Sequence, residues 1–294
     1  MPDNRNFKAV GLLVILALIW GTSFILIKQG LKAFAPTEVA TLRVSAAFLF
    51  SLPIALTRLQ GLRFENYRSL FISGMLGIFI PAFLFSTAQT KIDSSVAGIM
   101  NTLSPICTMI VGTLFFSQKF RGYAVAGILI GLSGTVLLML SREGTSVTGI
   151  NYYSLLIVAA CLLYGTNLNW IKFNLPGLSP LTITSVSILT IGPLALVYLF
   201  GFTDFTSKLG TVEGSWSSLG FIVVLGCMST AVANFLFTEV VKISTPLFAS
   251  SVTYLMPIVS VGWGLLDGEK LYTGHYVGMV AILGGVYLAN RKKE

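Results

Sequence analysis

Long apolar runs separated by single charges or short charged clusters dominate the chain. The charge-free intervals cover residues 9–27, 69–90, 94–118, 122–141, 144–171, 173–203, 214–238, 243–266 and 271–290, and the shortest holds 19 residues. A helix needs about 20 predominantly apolar residues to cross the hydrocarbon core of a bilayer, so each interval predicts one crossing. A tenth apolar stretch, Val39 to Thr57, is interrupted only by Arg43. Breaks are predicted at Pro36, Lys91–Ser94, Lys119–Gly122, Pro176–Pro180 and Lys242–Pro246. A membrane β-barrel would show alternating segments of roughly ten residues, and none is visible. The pattern predicts an all-α integral membrane protein with ten transmembrane helices.

The runs are not independent. WGTSFILIK at 20–28 returns as YGTNLNWIK at 164–172, an offset of 144 that also relates Pro36 to Pro180. Further on, KIDSSVAGIMNTLSPI (91–106) resembles KISTPLFASSVTYLMPI (242–258), and Gly127 and Gly134 match Gly278 and Gly285. The echoes are ordered along two halves, residues 1–144 and 145–294, of five predicted helices each. Five is odd, so the second half enters the membrane with the opposite orientation. Inverted repeats of this kind characterise secondary transporters. Because the first run recurs at 164–172 and lacks a small-residue cleavage site, it is expected to be a retained helix rather than a signal peptide.

Composition agrees with this picture: 54% of residues are hydrophobic and 10% charged, against roughly 25% charged in soluble domains. The net charge of +8 does not point to nucleic acid, because the basic residues punctuate apolar runs instead of forming a face. Placing the N-terminus in the cytoplasm puts Arg58, Arg63, Arg68, Lys119, Arg121 and the Arg291–Lys293 tail inside, leaving Lys28, Lys32, Lys91, Arg142, Lys208 and Lys270 outside. The excess of Lys and Arg therefore favours both termini inside, in a cell membrane, bacterial inner or plasma. Cys107, Cys161 and Cys227 each lie within an apolar run and read as small packing residues, not as a disulfide or metal set.

Three segments carry a family likeness: the WGTSF phrase, NTLSPI at 101–106, and YLMPIVSVGWGLLDGEKL at 254–271. Together with two five-helix halves they resemble the drug/metabolite transporter superfamily, in particular its EamA branch, over essentially the whole chain. That family usually carries a proline in its fourth and ninth helices, followed about a dozen residues later by Gly-Glu. Pro105 and Pro257 match the prolines and Gly268–Glu269 the second Gly-Glu, whereas the first copy reads Ser117–Gln118. The resemblance implies export of amino acids, related small metabolites or drugs by alternating access.

Candidate cavity residues follow from polarity and position. Pro105 and Pro257 interrupt helix hydrogen bonding, and discontinuous helices in corresponding places of two halves point to a midplane site. Asn101 and Tyr254 lie four and three residues before these prolines and so share their faces; each is a substrate contact or an interhelical tie. Trp20 with Ser23, and Tyr164 with Asn167, are i,i+3 pairs expected to line a cavity, the aromatics alternatively being interface anchors. Asn169 and Trp170 are expected at the membrane edge. Arg43 is the one basic residue within a span and reads as a snorkelling anchor, a partner of Glu38, or a substrate contact. Asn234 is a cavity candidate, Glu239 a solvated helix end, and His275 an interfacial residue. The glycine pairs Gly127/Gly131 and Gly74/Gly77 permit close helix packing, and glycine rows permit a homodimer without requiring one.

One histidine at a helix end, no carboxylate pair within the spans and no phosphate-binding loop leave acid–base, metal and nucleotide chemistry without parts. The expectation is a non-enzymatic transporter without cofactor, lying in lipid. The alternative is a structural or sensory multi-pass protein, which leaves the inverted repeat unexplained. Scarce intramembrane charge favours a neutral, zwitterionic or lipophilic solute over a strongly anionic one.

Overall fold

The computed structural model describes residues 4–117, 122–140, 151–243 and 252–290. Among these residues every regular element is helical: α1 (Asn4–Gly30), α2 (Pro36–Leu56), α3 (Phe64–Ala88), α4 (Ser94–Phe116), α5 (Gly122–Leu140), α6 (Tyr152–Asn174), α7 (Pro180–Phe202), α8 (215–243), α9 (Val252–Leu266) and α10 (Thr273–Asn290), with one extra turn at Phe205–Lys208. Seven stretches are long and apolar enough to cross a membrane, namely Gly11–Gly30, α2, α3, α4, α6, α7 and Ser215–Phe237 of α8; α9 supplies a shorter apolar stretch, Leu255–Leu266. Large apolar side chains such as Leu114, Phe115, Phe200, Phe202 and Leu266 stay exposed. A lipid solvent makes such a surface stable, since hydrocarbon tails replace the core that water would demand.

Local chemistry explains several boundaries. Pro36 and Pro180 both occupy the first turn of their helices, where the missing N–H costs nothing. Ser179 caps α7 by accepting from Thr182 N at 3.1 Å, and Glu38 reaches back to Ala35 N at 2.7 Å at the start of α2. Asn151 accepts from Tyr153 N at the start of α6.

Three of the long helices are irregular. α4 passes through a 3-10 turn at Asn101–Leu103 before Ser104 and Pro105 open its second part. α3 contains a π turn at Met75–Phe79, with Ile80 N bonding to Met75 O. Pro81 follows directly and has no N–H to donate to the preceding turn. α8 contains a longer π stretch, Leu225–Val232, with Ala233 N bonding to Met228 O. Pro257, by contrast, sits inside an unbroken α9; the stretch 244–251 before α9, including the break expected near Pro246, lies outside the described residues. So do Lys119 and Gln118.

α1 packs on α9, α6 on α4, α2 on α7 and α5 on α10, while α3 leans on α6 and α7, and α8 on α1 and α2. Glycines set these approaches. A Cβ on Gly285 would lie 2.6 Å from Gly127 O and Gly131 N, and one on Gly134 2.8 Å from Gly278 O. The glycine rows of α5 and α10 are thus consumed against each other within the chain. Gly192 receives the Phe48 ring where α7 meets α2. One large apolar core runs through the centre, with Leu16, Ile99, Met100, Leu103, Ile106, Ile157 and Ile222 fully buried.

Candidate functional site

The wide turn of α8 is where the polar candidates converge. A π turn carries one residue more per turn, which displaces backbone carbonyls from their regular partners, and such turns recur at functional sites. Trp20 on α1 donates its indole N–H to Ser229 O at 3.0 Å, and Ser23 donates to the Ser229 hydroxyl at 2.7 Å. Arg43 on α2 donates through Nε to Thr230 Oγ1 at 2.9 Å, and Asn234 donates to Thr230 O at 2.7 Å. The α8 and α2 backbones touch here: a Cβ on Gly226 would lie 2.5 Å from Arg43 O. Ser229 and Thr230 are therefore the hub, and sequence reasoning missed both. Their signal was a lone Ser-Thr pair within an apolar run.

Arg43 does not pair with Glu38, whose carboxylate instead takes Lys208 Nζ at 2.9 and 2.8 Å. The i,i+5 spacing on one helix points the two side chains apart, whereas Lys208, on the turn after α7, approaches from outside. Arg43 is half-buried and forms no ion pair among the described residues.

The second phrase meets the other wide turn. Asn167 abuts the π turn of α3, since a Cβ on Gly77 would lie 2.2 Å from its Nδ2. Asn167 Oδ1 is buried without a hydrogen-bond partner. Tyr164 stacks on Phe85 of α3, with centroids 6.1 Å apart, and Phe85 in turn meets Phe24 of α1 at 5.8 Å. Aromatic contact thus links the two repeated phrases through α3, while Trp20 leans on Phe237 at 5.4 Å.

The remaining candidates lie elsewhere. Asn101 Oδ1 faces Ser104 Oγ at 3.3 Å and Cys161 Sγ at 4.0 Å, so Asn101 belongs to the α4–α6 contact, while Pro105 sits in the first turn of the second part of α4. The carbonyl of Asn101 takes the Ser104 hydroxyl at 2.8 Å. Pro257 is buried within α9, and the side chains of Tyr254 and Glu239 lie outside the described residues. Asn169, expected at the membrane edge, is 3% exposed and donates to Thr108 O and Gly165 O; it ties α6 to α4. Trp170 donates to Ser69 O at 3.2 Å. His275, expected at the interface, is buried and accepts from Tyr272 N at the start of α10. Cys107 and Cys161 are buried as unpaired thiols, packing residues as expected.

One polar cluster was not anticipated as such. Gly268 adopts a left-handed φ of 81° and turns the chain so that Glu269 folds back under α4. Its Oε1 accepts from Lys28 Nζ at 2.8 Å, Ser94 N at 2.9 Å and Ser94 Oγ at 2.8 Å. Its Oε2 accepts from Ser95 N at 3.0 Å and Ser95 Oγ at 2.6 Å. Lys28 also pairs with Asp267 at 2.7 Å. Burial pushes the Glu269 carboxyl up, but the hydrogen bonds from Lys28, Ser95 and Ser94 outweigh it and hold the group at about 2. A carboxyl depressed below its ordinary 4.5 contributes stability that is complete above that value and is lost as pH falls toward the depressed one. The difference in melting temperature between wild type and Glu269→Gln should accordingly stay constant from pH 8 to about pH 5 and shrink below about pH 4. A difference that instead grows on acidification would contradict the depressed carboxyl.

Comparison with known proteins agrees with this architecture. The EamA-like transporter family matches residues 7–140 and again 151–291. An uncharacterized transporter of Archaeoglobus fulgidus is 27% identical over 290 residues, covering 95% of this chain and 99% of its own. The uncharacterized inner membrane transporter YedA of Escherichia coli is 23% identical over 100% of this chain and 94% of its own. The uncharacterized transporter YdfC of Bacillus subtilis is 24% identical over 91% and 84%. A solved crystal structure, 19% identical, superposes over 96% of both chains with a TM-score of 0.63, a likeness of fold. Apolar helices wrapped about polar groups, matched by one transporter family over nearly their whole length, make the chain a multi-pass membrane transporter of small molecules that belongs to the EamA-like transporter family.

Proposed function

We propose that the chain is a secondary transporter of ten crossing helices in two inverted halves, dividing near residues 144 and 145, with both termini cytoplasmic. It exports a small zwitterionic, carboxylate-bearing solute of the amino-acid class by alternating access. The exchange of packing partners supports the symmetry: α1 meets α9 as α6 meets α4, and α8 leans on α1 and α2 as α3 leans on α6 and α7. Ser117 and Gly268, at matching helix ends, both take left-handed φ values. Two separate family matches, one in each half, support the same division.

The observation that carries the substrate class is Arg43. A guanidinium inside a span is costly unless an anion or dipoles answer it, and among the described residues only its Nε is answered, by Thr230. Trp20, Tyr164 and Asn234 around the same region suit the body of a zwitterion better than a multiply charged phosphate.

Purified protein in proteoliposomes, offered a panel of amino acids with and without a pH gradient, tests the reading. Saturable flux of at least one of them is expected, and none across the panel would end the proposal. Flux unchanged on collapsing the gradient would exclude proton driving. Within this assay Trp20→Phe keeps the ring but removes the donor to Ser229 O, a loss of about 1 kcal/mol or several-fold in flux. Asn101→Ala should cost less. The reverse order would move the cavity to the α4 break.

A further inference from the structure

If each helix crosses once, the ends of α1, α7 and α9 and the starts of α2 and α4 share one membrane face. All the ion pairs described above lie there. Glu269 and Asp267, from the segment after α9, hold Lys28 at the end of α1, and Glu269 also caps the start of α4. Gln29 adds a bond to Asp267 at 3.1 Å. Lys208, after α7, holds Glu38 on α2. Every one of these contacts joins the first half of the chain to the second.

The positions that match them by the repeat, on the opposite face, do not carry the same charges. At the repeat offset of 144, Lys28 becomes Lys172 and Glu38 becomes Thr182. Glu269 is matched by Gln118, and the Ser94–Ser95 pair by a stretch that contains Pro246, whose nitrogen has no proton to donate. Lys172 is exposed and lies over the Phe173 ring at 5.5 Å, while Thr182 is occupied with the Ser179 cap. Solvated ion pairs contribute little, but Glu269 is buried with both oxygens charge-assisted, the arrangement in which such bonds are strong.

We propose that the Glu269–Lys28–Asp267 staple, aided by Glu38–Lys208, is a one-sided gate lock that holds this face shut and sets the resting orientation of the carrier. A symmetric scaffold has two nearly equivalent states, and a difference of a few bonds on one face decides between them. With the termini cytoplasmic the locked face is external, so the resting carrier waits for solute from inside, as export requires. This consequence rests on the transport reading; the lock itself does not.

Spin labels test it without solute. In a background with Cys107, Cys161 and Cys227 replaced by serine, one label pair at Lys32 and Lys270 reports the locked face. A second pair at Gln60 and Gly177 reports the opposite one; all four positions are exposed. Protein in lipid nanodiscs is measured by pulsed electron–electron resonance as wild type, Glu269→Gln and Lys28→Met. The locked-face distances should lengthen and broaden in both variants while the opposite-face distances shorten. Lys28→Met guards against misfolding, since it leaves Glu269 its four serine donors. Unchanged distances at both faces in a folded Lys28→Met overturn the lock, whereas absent wild-type flux in proteoliposomes would overturn only the transport reading.

Discussion

Gly165→Ala is expected to destabilise the protein strongly for the addition of a single methyl group. Its Cβ would lie 2.7 Å from Thr108 N and 2.8 Å from Cys107 C and Thr108 Cα, all backbone atoms of α4 that have no rotamer to retreat into. One turn on, Asn169 donates to Thr108 O at 3.0 Å, so separating the helices also strains a buried hydrogen bond. Overpacking of this kind costs about 1–3 kcal/mol, and a stranded amide adds about 1–3 kcal/mol more. Gly21, the same position of the first phrase, is held as closely: its Cβ would lie 2.5 Å from Val259 Cβ and 3.0 Å from Met256 O, atoms that no side-chain rotation moves. Gly21→Ala should cost a comparable amount, and Gly177→Ala, with nothing within 4 Å, should cost nothing measurable. Melting temperatures and membrane abundance of the three variants give the order. Equal behaviour of Gly165→Ala and Gly177→Ala would contradict the close α6–α4 approach.

That glycine also illustrates what was readable from residues alone. The repeated phrase was recognisable, and its two copies lie on α1, packed on α9, and on α6, packed on α4. Its meaning was assigned to the aromatic and polar positions, yet the shared Gly21 and Gly165 are what let α1 meet α9 and α6 meet α4. Helix ends at Pro36 and Pro180 were readable because proline at a first turn is a local preference. The wide turns of α3 and α8 were not, because hydropathy cannot distinguish a π turn from an α turn in a run that is apolar either way. Asn169 was misjudged for a related reason: nearness to Lys172 in sequence suggested the membrane edge, but which neighbour a helix face meets is a long-range property. The same holds for Glu38, whose partner is 170 residues away. Glu269 stood out as part of a family pattern, while its serine donors and Lys28 became visible only when three helices were brought together.

The largest functional effect is expected at Arg43. If its guanidinium receives the solute carboxylate, Arg43→Gln removes a charge-assisted contact worth about 1.5–3 kcal/mol, or roughly ten- to a hundredfold in apparent affinity. Arg43→Lys should fall between the two. It keeps a positive charge but loses the planar fork, and with it the Nε bond to Thr230, because an ammonium is a point donor on a flexible stem. A methyl ester of the same solute lacks the carboxylate, so its transport should be slow in wild type and nearly indifferent to the substitution. Protein abundance is expected to hold in both variants, since the Thr230 contact leaves the apolar packing of α2 on α7 intact. Counterflow in proteoliposomes, comparing acid and ester in wild type, Arg43→Gln and Arg43→Lys, separates the roles. An equal loss for acid and ester would make Arg43 a structural tie to α8. A loss confined to the acid makes it the group that reads the carboxylate, and the unpaired Asn167 Oδ1 beside Tyr164 then becomes the acceptor to test for the solute ammonium.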